Sequence, residues 1–355
     1  MELGIYSFGD ISADPVTGTG ISAEQGIKDL LERARLADEV GLDYFGLGEH
    51  HRAEYAVSSP QTVLAAAAAQ TSRIRLGSAV TVLSTDDPVR VFQQFATADL
   101  VSGGRVELTA GRGSFIESYP LFGAELTDYE ALYDEKVGLL LEVNAAERVS
   151  WSGRFRPALD DALILPRPSA GKLPIWIATG GTPASTVRAA ALGQPVIYGL
   201  LGGSIASFAR HAELFRSEAE RLGHGALPVG ISSTGFVAEH GARDAFYPRW
   251  NDTLTRTAAE RGFAKPSRAS YDAQAGPEGG IYVGSPEEVA EKIIATHRHM
   301  KHDRHILQMD LSAIPQRDIL RAIELLGTRV KPILDAELGT QPSTHTSAFG
   351  EGAKR

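Results

Sequence analysis

The chain has 355 residues, 43% of them hydrophobic and 22% charged, with no cysteine and a formal net charge of -9. That length accommodates one large α/β domain, while the acidic balance and the lack of a Lys/Arg stripe speak against nucleic-acid binding. The missing cysteines exclude disulfides, thiolate metal sites and cysteine nucleophiles, and no stretch approaches the ~18 continuous apolar residues of a membrane span.

The N-terminal MELGIYSFGD has no basic and apolar leader pattern, so it reads as a strand, and the cytoplasm is the default compartment. Leu3–Phe8 is the first predicted strand. The helix over 23–40 carries Ile27, Leu30, Leu31, Ala34 and Ala37 on one face, with Gly41 as its stop. Strand two is Tyr44–Leu47, followed by an alanine-rich helix over 61–70. Strand three is Arg75–Val82 with a helix over 89–101, and strand four is Val106–Ala110 with a helix over 129–147. The Pro-rich segment 151–168 breaks the rhythm and is expected to be an inserted excursion.

Strand five, Ile175–Ala178, resumes the alternation with a helix over 183–192. Strand six is Val196–Leu200 with a helix over 205–222, and strand seven is Val229–Val237 with a helix over 242–262. A Pro/Gly-rich loop is predicted over 265–280. Ser285 and Pro286 then open a helix over 286–300 with two glutamates in its first turn. Strand eight, Ile306–Leu311, and a helix over 317–334 complete eight β/α units, which predicts a (β/α)8 TIM barrel with inserted loop segments, a single domain over 1–335. The tail over 336–355 has almost no large apolar residues and is expected to be disordered.

In such a barrel the chemistry sits past the carboxyl ends of the strands. There the chain places Glu49-His50-His51, Gly111-Arg112-Gly113, Gly180-Gly181-Thr182-Pro183 and Gly202-Gly203. Gly180, Gly181 and Thr182, before a Pro-opened helix, form a candidate phosphate site at a helix N-terminus, or a tight, ordinarily capped turn. Gly202 and Gly203 are a second, similar pair. Arg112 between two glycines suits a bidentate grip on a phosphate, or an ion pair with a carboxylate such as Glu49. Adjacent His50 and His51 on an extended segment point to opposite sides, so one at most faces a pocket, as base or hydrogen-bonding group or as a structural histidine. His297, His299, His302 and His305 gather at a helix C-terminus beside Lys301 and Arg304, a place that favours cations by the dipole, and are not taken as a metal site.

Three motifs in order, Leu47-Gly48-Glu49-His50-His51, the run RIRLGSAVTVLSTDDPVR ending at Arg90, and Gly104-Arg105 with Gly111-Arg112-Gly113, make the chain resemble the luciferase-like flavin-dependent monooxygenases over nearly its whole length to Leu334. The resemblance implies FMN as cofactor, used in reduced form with O2 to oxygenate a small organic substrate. It implies that the flavin ring lies over the end of strand three, at Ala79, Val80 and Thr81, with a cis Ala79–Val80 peptide. It also implies that Arg112 and Gly180-Gly181-Thr182 hold the phosphate, that His50 faces the flavin as base or stabiliser of the oxygenated adduct, and that the protein is a homodimer. Luciferase itself has a cysteine where this chain has Gly111, so light emission is not implied. A separate flavin reductase would supply reduced FMN, because the chain lacks a dinucleotide fingerprint, and 151–168 and 265–280 would serve as lids. The alternatives are a deazaflavin-dependent dehydrogenase of the same superfamily, a metal-dependent barrel hydrolase using a strand-end histidine with Asp310, and a flavin-binding protein without turnover.

Overall fold

In the computed structural model, which describes residues 1–113 and 115–339, eight parallel strands close on themselves. They are Glu2–Ser7, Tyr44–Leu47, Arg75–Ser78 continued by Thr81–Val82, Val106–Gly111, Ile175–Thr179, Val196–Leu200, Val229–Val237 and Arg304–Gln308. Strand eight pairs with strand one (Gly4 opposite Ile306) and strand seven with both six and eight, so no edge remains open. The fold is therefore the (β/α)8 barrel that the alternation predicts.

Helix boundaries follow local chemistry. Ser285 accepts from the Glu288 amide at 3.2 Å while the Glu288 carboxylate accepts from the Ser285 amide at 2.8 Å, a reciprocal cap for Pro286–Met300. Thr182 and Ser267 cap Pro183–Ala191 and Arg268–Ala275 in the same way. Most apolar residues of the strands' outer faces and the helices merge into one large core, whereas the barrel interior holds a small cluster of Tyr6, Tyr44, Trp176, Ile197 and Ile306. Gly77 makes room for Tyr44, since a Cβ there would lie 2.7 Å from the phenol oxygen.

The interior floor is charged. Arg304, 1% exposed, lies between the rings of Tyr44 and Trp176, 4.6 and 4.4 Å from their centroids, and pairs with buried Glu107 and with Glu2. A guanidinium is tolerated there because a carboxylate neutralises it and two aromatic faces cover it.

Several sequence expectations need correction. Segment 151–168 contains half of an antiparallel hairpin, Arg148–Trp151 with Leu159–Leu163, anchored by Glu135 to the amides of Arg154 and Phe155 and by Arg156 to Asp87. The loop over 265–280 contains the helix Arg268–Ala275, and Ile281–Gly284 is an extra parallel strand on the end of strand seven. The predicted 317–334 helix is Gln316–Leu325, a π turn over Leu326–Val330, and Lys331–Leu338. Short-range periodicity does not register a hairpin or a four-residue strand whose pairing partner is distant in sequence. Of the expected tail, Ala336–Leu338 complete that last helix, and residues 340–355 lie outside the described residues. Among the described residues no helix is long and apolar enough to cross a membrane.

Candidate active site

A cavity of about 330 Å³ opens at the carboxyl ends of the strands, inside the range of ~300–1,000 Å³ usual for small-molecule sites. Its inner wall comes from Tyr6, Ala178, Ile197 and Ile306, and one side from Ala79, Val80 and Val82 of strand three. The Ala79–Val80 peptide is cis, as the resemblance implies. Strand three breaks there: Ser78 pairs with Leu47, and pairing resumes with Thr81 opposite Ala110. Gly111 leaves room for this turn, because a Cβ on it would lie 2.5 Å from Val80 Cγ2.

His50 stands at the end of strand two, 8% exposed, among Phe8, Tyr55 and Phe115 at ring-centroid distances of 4.3, 4.5 and 5.2 Å. Burial, and then the charges of Arg52, His51 and Arg261, pull its pKa down to about 3. At neutral pH it is an uncharged imidazole, a hydrogen-bonding group and a poor proton acceptor. His51 also borders the cavity, contrary to the expectation that only one of the pair would. Residues 48–51 have left the strand, so the alternation of side-chain direction no longer applies. The His51 Nε2 lies 2.9 Å from Glu49 Oε1, and Glu49 Oε2 accepts from the Val82 amide at 3.0 Å, which ties the ends of strands two and three together.

Arg112 also borders the cavity. Its guanidinium lies 5.1 Å from the Tyr129 ring centroid and pairs with Glu130, not with Glu49. Ser118, 3% exposed, also lines the cavity, and its hydroxyl has no hydrogen-bond partner. Such an orphan buried group normally awaits a ligand or water.

Of the other sequence candidates, Ala79, Val80 and Gly180 line the cavity, whereas Thr81, Gly181, Thr182, Gly202 and Gly203 do not. Thr81 is fully buried, and its Oγ1 has no partner. Gly181 has φ +79°, and its amide donates to Thr179 Oγ1 at 3.3 Å; the Thr182 amide donates to Ser185 Oγ at 3.1 Å. Two amides that an incoming phosphate would use at this helix start are therefore already engaged by hydroxyls of the same turn. No residue of 151–168 or 265–280 lines the cavity, whereas Phe115, Glu117 and Ser118 do, and the Phe115 ring lies 4.6 and 4.8 Å from the guanidiniums of Arg52 and Arg261.

Sequence reasoning missed Phe8, Tyr55, Phe115, Tyr129 and Glu130. Phe115 follows Arg112 by three residues, a signal that was available, but Tyr55 arrives from the loop after strand two and Tyr129 from the start of the helix Tyr129–Ala145. Beneath the rim, Asp310 is fully buried between Ser7 and Arg33, whose Nη1 lies 2.9 Å away, and desolvation raises its pKa to about 6. Among the described residues no group of three or more His, Asp or Glu side chains stands close enough to hold a metal ion, so the hydrolase alternative has no ligand set. His302 and His305 instead meet each other at 3.2 Å, and His305 meets Ser233 at 2.9 Å, in a buried neutral chain.

Residues 1–301 match the luciferase-like monooxygenase family, and the chain belongs to it. That membership makes it an oxidoreductase by class. The crystal structure of monooxygenase RslO1 from Streptomyces bottropensis superposes with a TM-score of 0.80 at 27% identity, over 94% of this chain and 99% of that one. The N-acetyl-S-alkylcysteine monooxygenase of Bacillus subtilis is 30% identical over 224 residues, 62% of this chain and 63% of that protein. The F420-dependent glucose-6-phosphate dehydrogenase of Amycolatopsis mediterranei is 34% identical over 176 residues, 46% of this chain and 51% of that protein. The chain thus spans between half and two thirds of these two relatives.

Proposed function

We propose that the chain is an FMN-dependent monooxygenase that uses reduced FMN and O2 to oxygenate a small organic substrate. The observation that carries this reading is the cavity's polarity. An apolar strand-three wall borders a chamber that an arginine and an uncharged, desolvated histidine also line. A flat ring with a phosphorylated side chain matches that layout, and the unpartnered Ser118 hydroxyl offers a further contact. Bound reduced flavin would supply the electrons that activate O2, one oxygen atom passing to the substrate and the other leaving as water.

The chain's own residues prepare that step. Val80 and Ala79 would support the ring, and Arg112 would hold the phosphate. His50 donates or accepts a hydrogen bond in its neutral form, so the site contributes no stray imidazolium proton near the reacting atoms. Phe8, Tyr55 and Phe115 exclude water around it, which strengthens every polar contact inside. A separate reductase supplies reduced FMN, and the working form is a homodimer acting in the cytoplasm. The F420-dependent relative supports a deazaflavin as the second reading. Glu117 on the cavity wall and Glu130 with Asp134 beside Arg112 disfavour a more acidic cofactor.

Fluorescence titration of the purified chain with FMN and with a deazaflavin tests the assignment. FMN should bind in preference, Arg112→Ala should weaken it about tenfold, the loss of one charge-assisted phosphate contact, and His50→Ala should alter the reoxidation rate of reduced FMN more than its binding. Preference for the deazaflavin, or no flavin binding, would overturn the proposal.

A further inference from the structure

At the rim beside Arg112 two guanidiniums meet one carboxylate. Glu130, in the first turn of the helix Tyr129–Ala145, turns Oε1 to Arg112 and Oε2 to Arg188, which projects from the helix Pro183–Ala191 behind strand five. Asp134, one turn further on, lies 3.5 Å from the same Arg188 nitrogen. The arrangement is that of an oxyanion gripped from two sides, with a protein carboxylate as the oxyanion. Burial nudges the Glu130 carboxyl upward, but the Arg188 hydrogen bond and the Arg112 and Arg188 charges outweigh it and hold the group below the usual carboxylate range.

The geometry points to Glu130 as a built-in competitor for the cofactor's phosphate, and to Arg188 as the second cation of the phosphate seat. The inference rests on the FMN reading for the identity of the ligand, but the seat itself is defined by Arg112, Glu130 and Arg188. Two cations facing Glu130 and Asp134 leave the seat with no net charge, so a phosphate gains full use of the arginines only when the Glu130 carboxylate swings away. Glu130 is 54% exposed and free to do so into solvent. The Gly181 and Thr182 amides at the neighbouring helix start already donate to Thr179 and Ser185, which leaves the arginines as the charged donors for the phosphate. The consequence is an FMN that exchanges readily with solution, as a co-substrate delivered by a separate reductase must.

The test is binding of FMN, riboflavin and inorganic phosphate to wild type, Glu130→Gln and Arg188→Ala, read by flavin fluorescence and by thermal stabilisation. Removing the Glu130 carboxylate frees Arg112 and takes away one of the two carboxylates on Arg188, which should tighten FMN by about fivefold. Riboflavin, which lacks the phosphate, should be unchanged, and inorganic phosphate should stabilise Glu130→Gln more than wild type. Arg188→Ala should weaken FMN and leave riboflavin alone. Unchanged or weaker FMN binding in Glu130→Gln, with flavin still bound by wild type, would overturn the competitor role. If no flavin binds but phosphate still favours Glu130→Gln, the seat stands and the FMN assignment falls.

Discussion

Replacing His50 with glutamine isolates the cost of keeping that imidazole uncharged. The folded pKa is about 3 against an ordinary 6.5, so below pH 6.5 the unfolded chain takes up a proton that the folded one refuses. Stability from this group is complete above about pH 6.5 and is lost as pH falls toward 3. From pH 7.5 to 4.5 the difference integrates to nearly two pH units, or about 2.7 kcal/mol, equivalent to about 3 to 4 °C in Tm for a chain this long. Other buried groups titrate as well. His302 and His305 act in the same direction, whereas Asp310, with its pKa raised to about 6, loses stability as pH rises. They are common to both proteins and cancel in the double difference. Thermal melts of wild type and His50→Gln at the two pH values should therefore show the variant losing about 3 °C less on acidification, while the histidine ring resonance of His50 in the folded protein stays in its neutral position at pH 5. Parallel melts, or a resonance that titrates near 6.5, would refute the desolvation argument and return His50 to the role of a general base.

Two further substitutions test the frame of the site. Gly111→Ala puts a methyl group 2.5 Å from Val80 Cγ2; overpacking of this kind costs about 1–3 kcal/mol, and the displaced Val80 should weaken flavin binding measured by fluorescence, whereas unchanged binding would show that the strand-three wall is not the ring's support. Arg304→Met removes the guanidinium that pairs with buried Glu107 on the barrel floor. That should cost about 3–5 kcal/mol in denaturant unfolding, most of it recovered in the double variant Arg304→Met, Glu107→Leu; a stable single variant would show that the pair is dispensable.

Much of the barrel was legible because its signals are local. Ser285-Pro286 followed by two glutamates announces a helix start wherever it occurs, and the apolar runs of strands seven and two have few alternatives once Gly, Pro and polar clusters bound them. The hairpin in 148–163 and the strand Ile281–Gly284 were not legible, since each depends on a partner that local periodicity does not specify. The site divides in the same way. Gly111, Arg112 and His50 stand out at strand ends, and Ala79 and Val80 follow from the family resemblance. Thr182 and Gly203 stand out equally well yet are not among the residues lining the cavity, because a glycine-rich turn looks the same in sequence whether it opens toward a ligand or closes on its own hydroxyls.

The sequence by itself determined the order of strands and helices, the family, and the strand-end residues available for chemistry, since these depend on periodicity, capping and contiguous motifs. Only the tertiary structure decided how those residues act. It surrounds His50 with Phe8, Tyr55 and Phe115 from three separate segments, and so removes its charge at neutral pH. It brings Glu130 and Arg188 to Arg112 from two different helices. Desolvation and ion pairing depend on distances in space, and residues 18 and 76 positions away along the chain become neighbours only when the barrel closes.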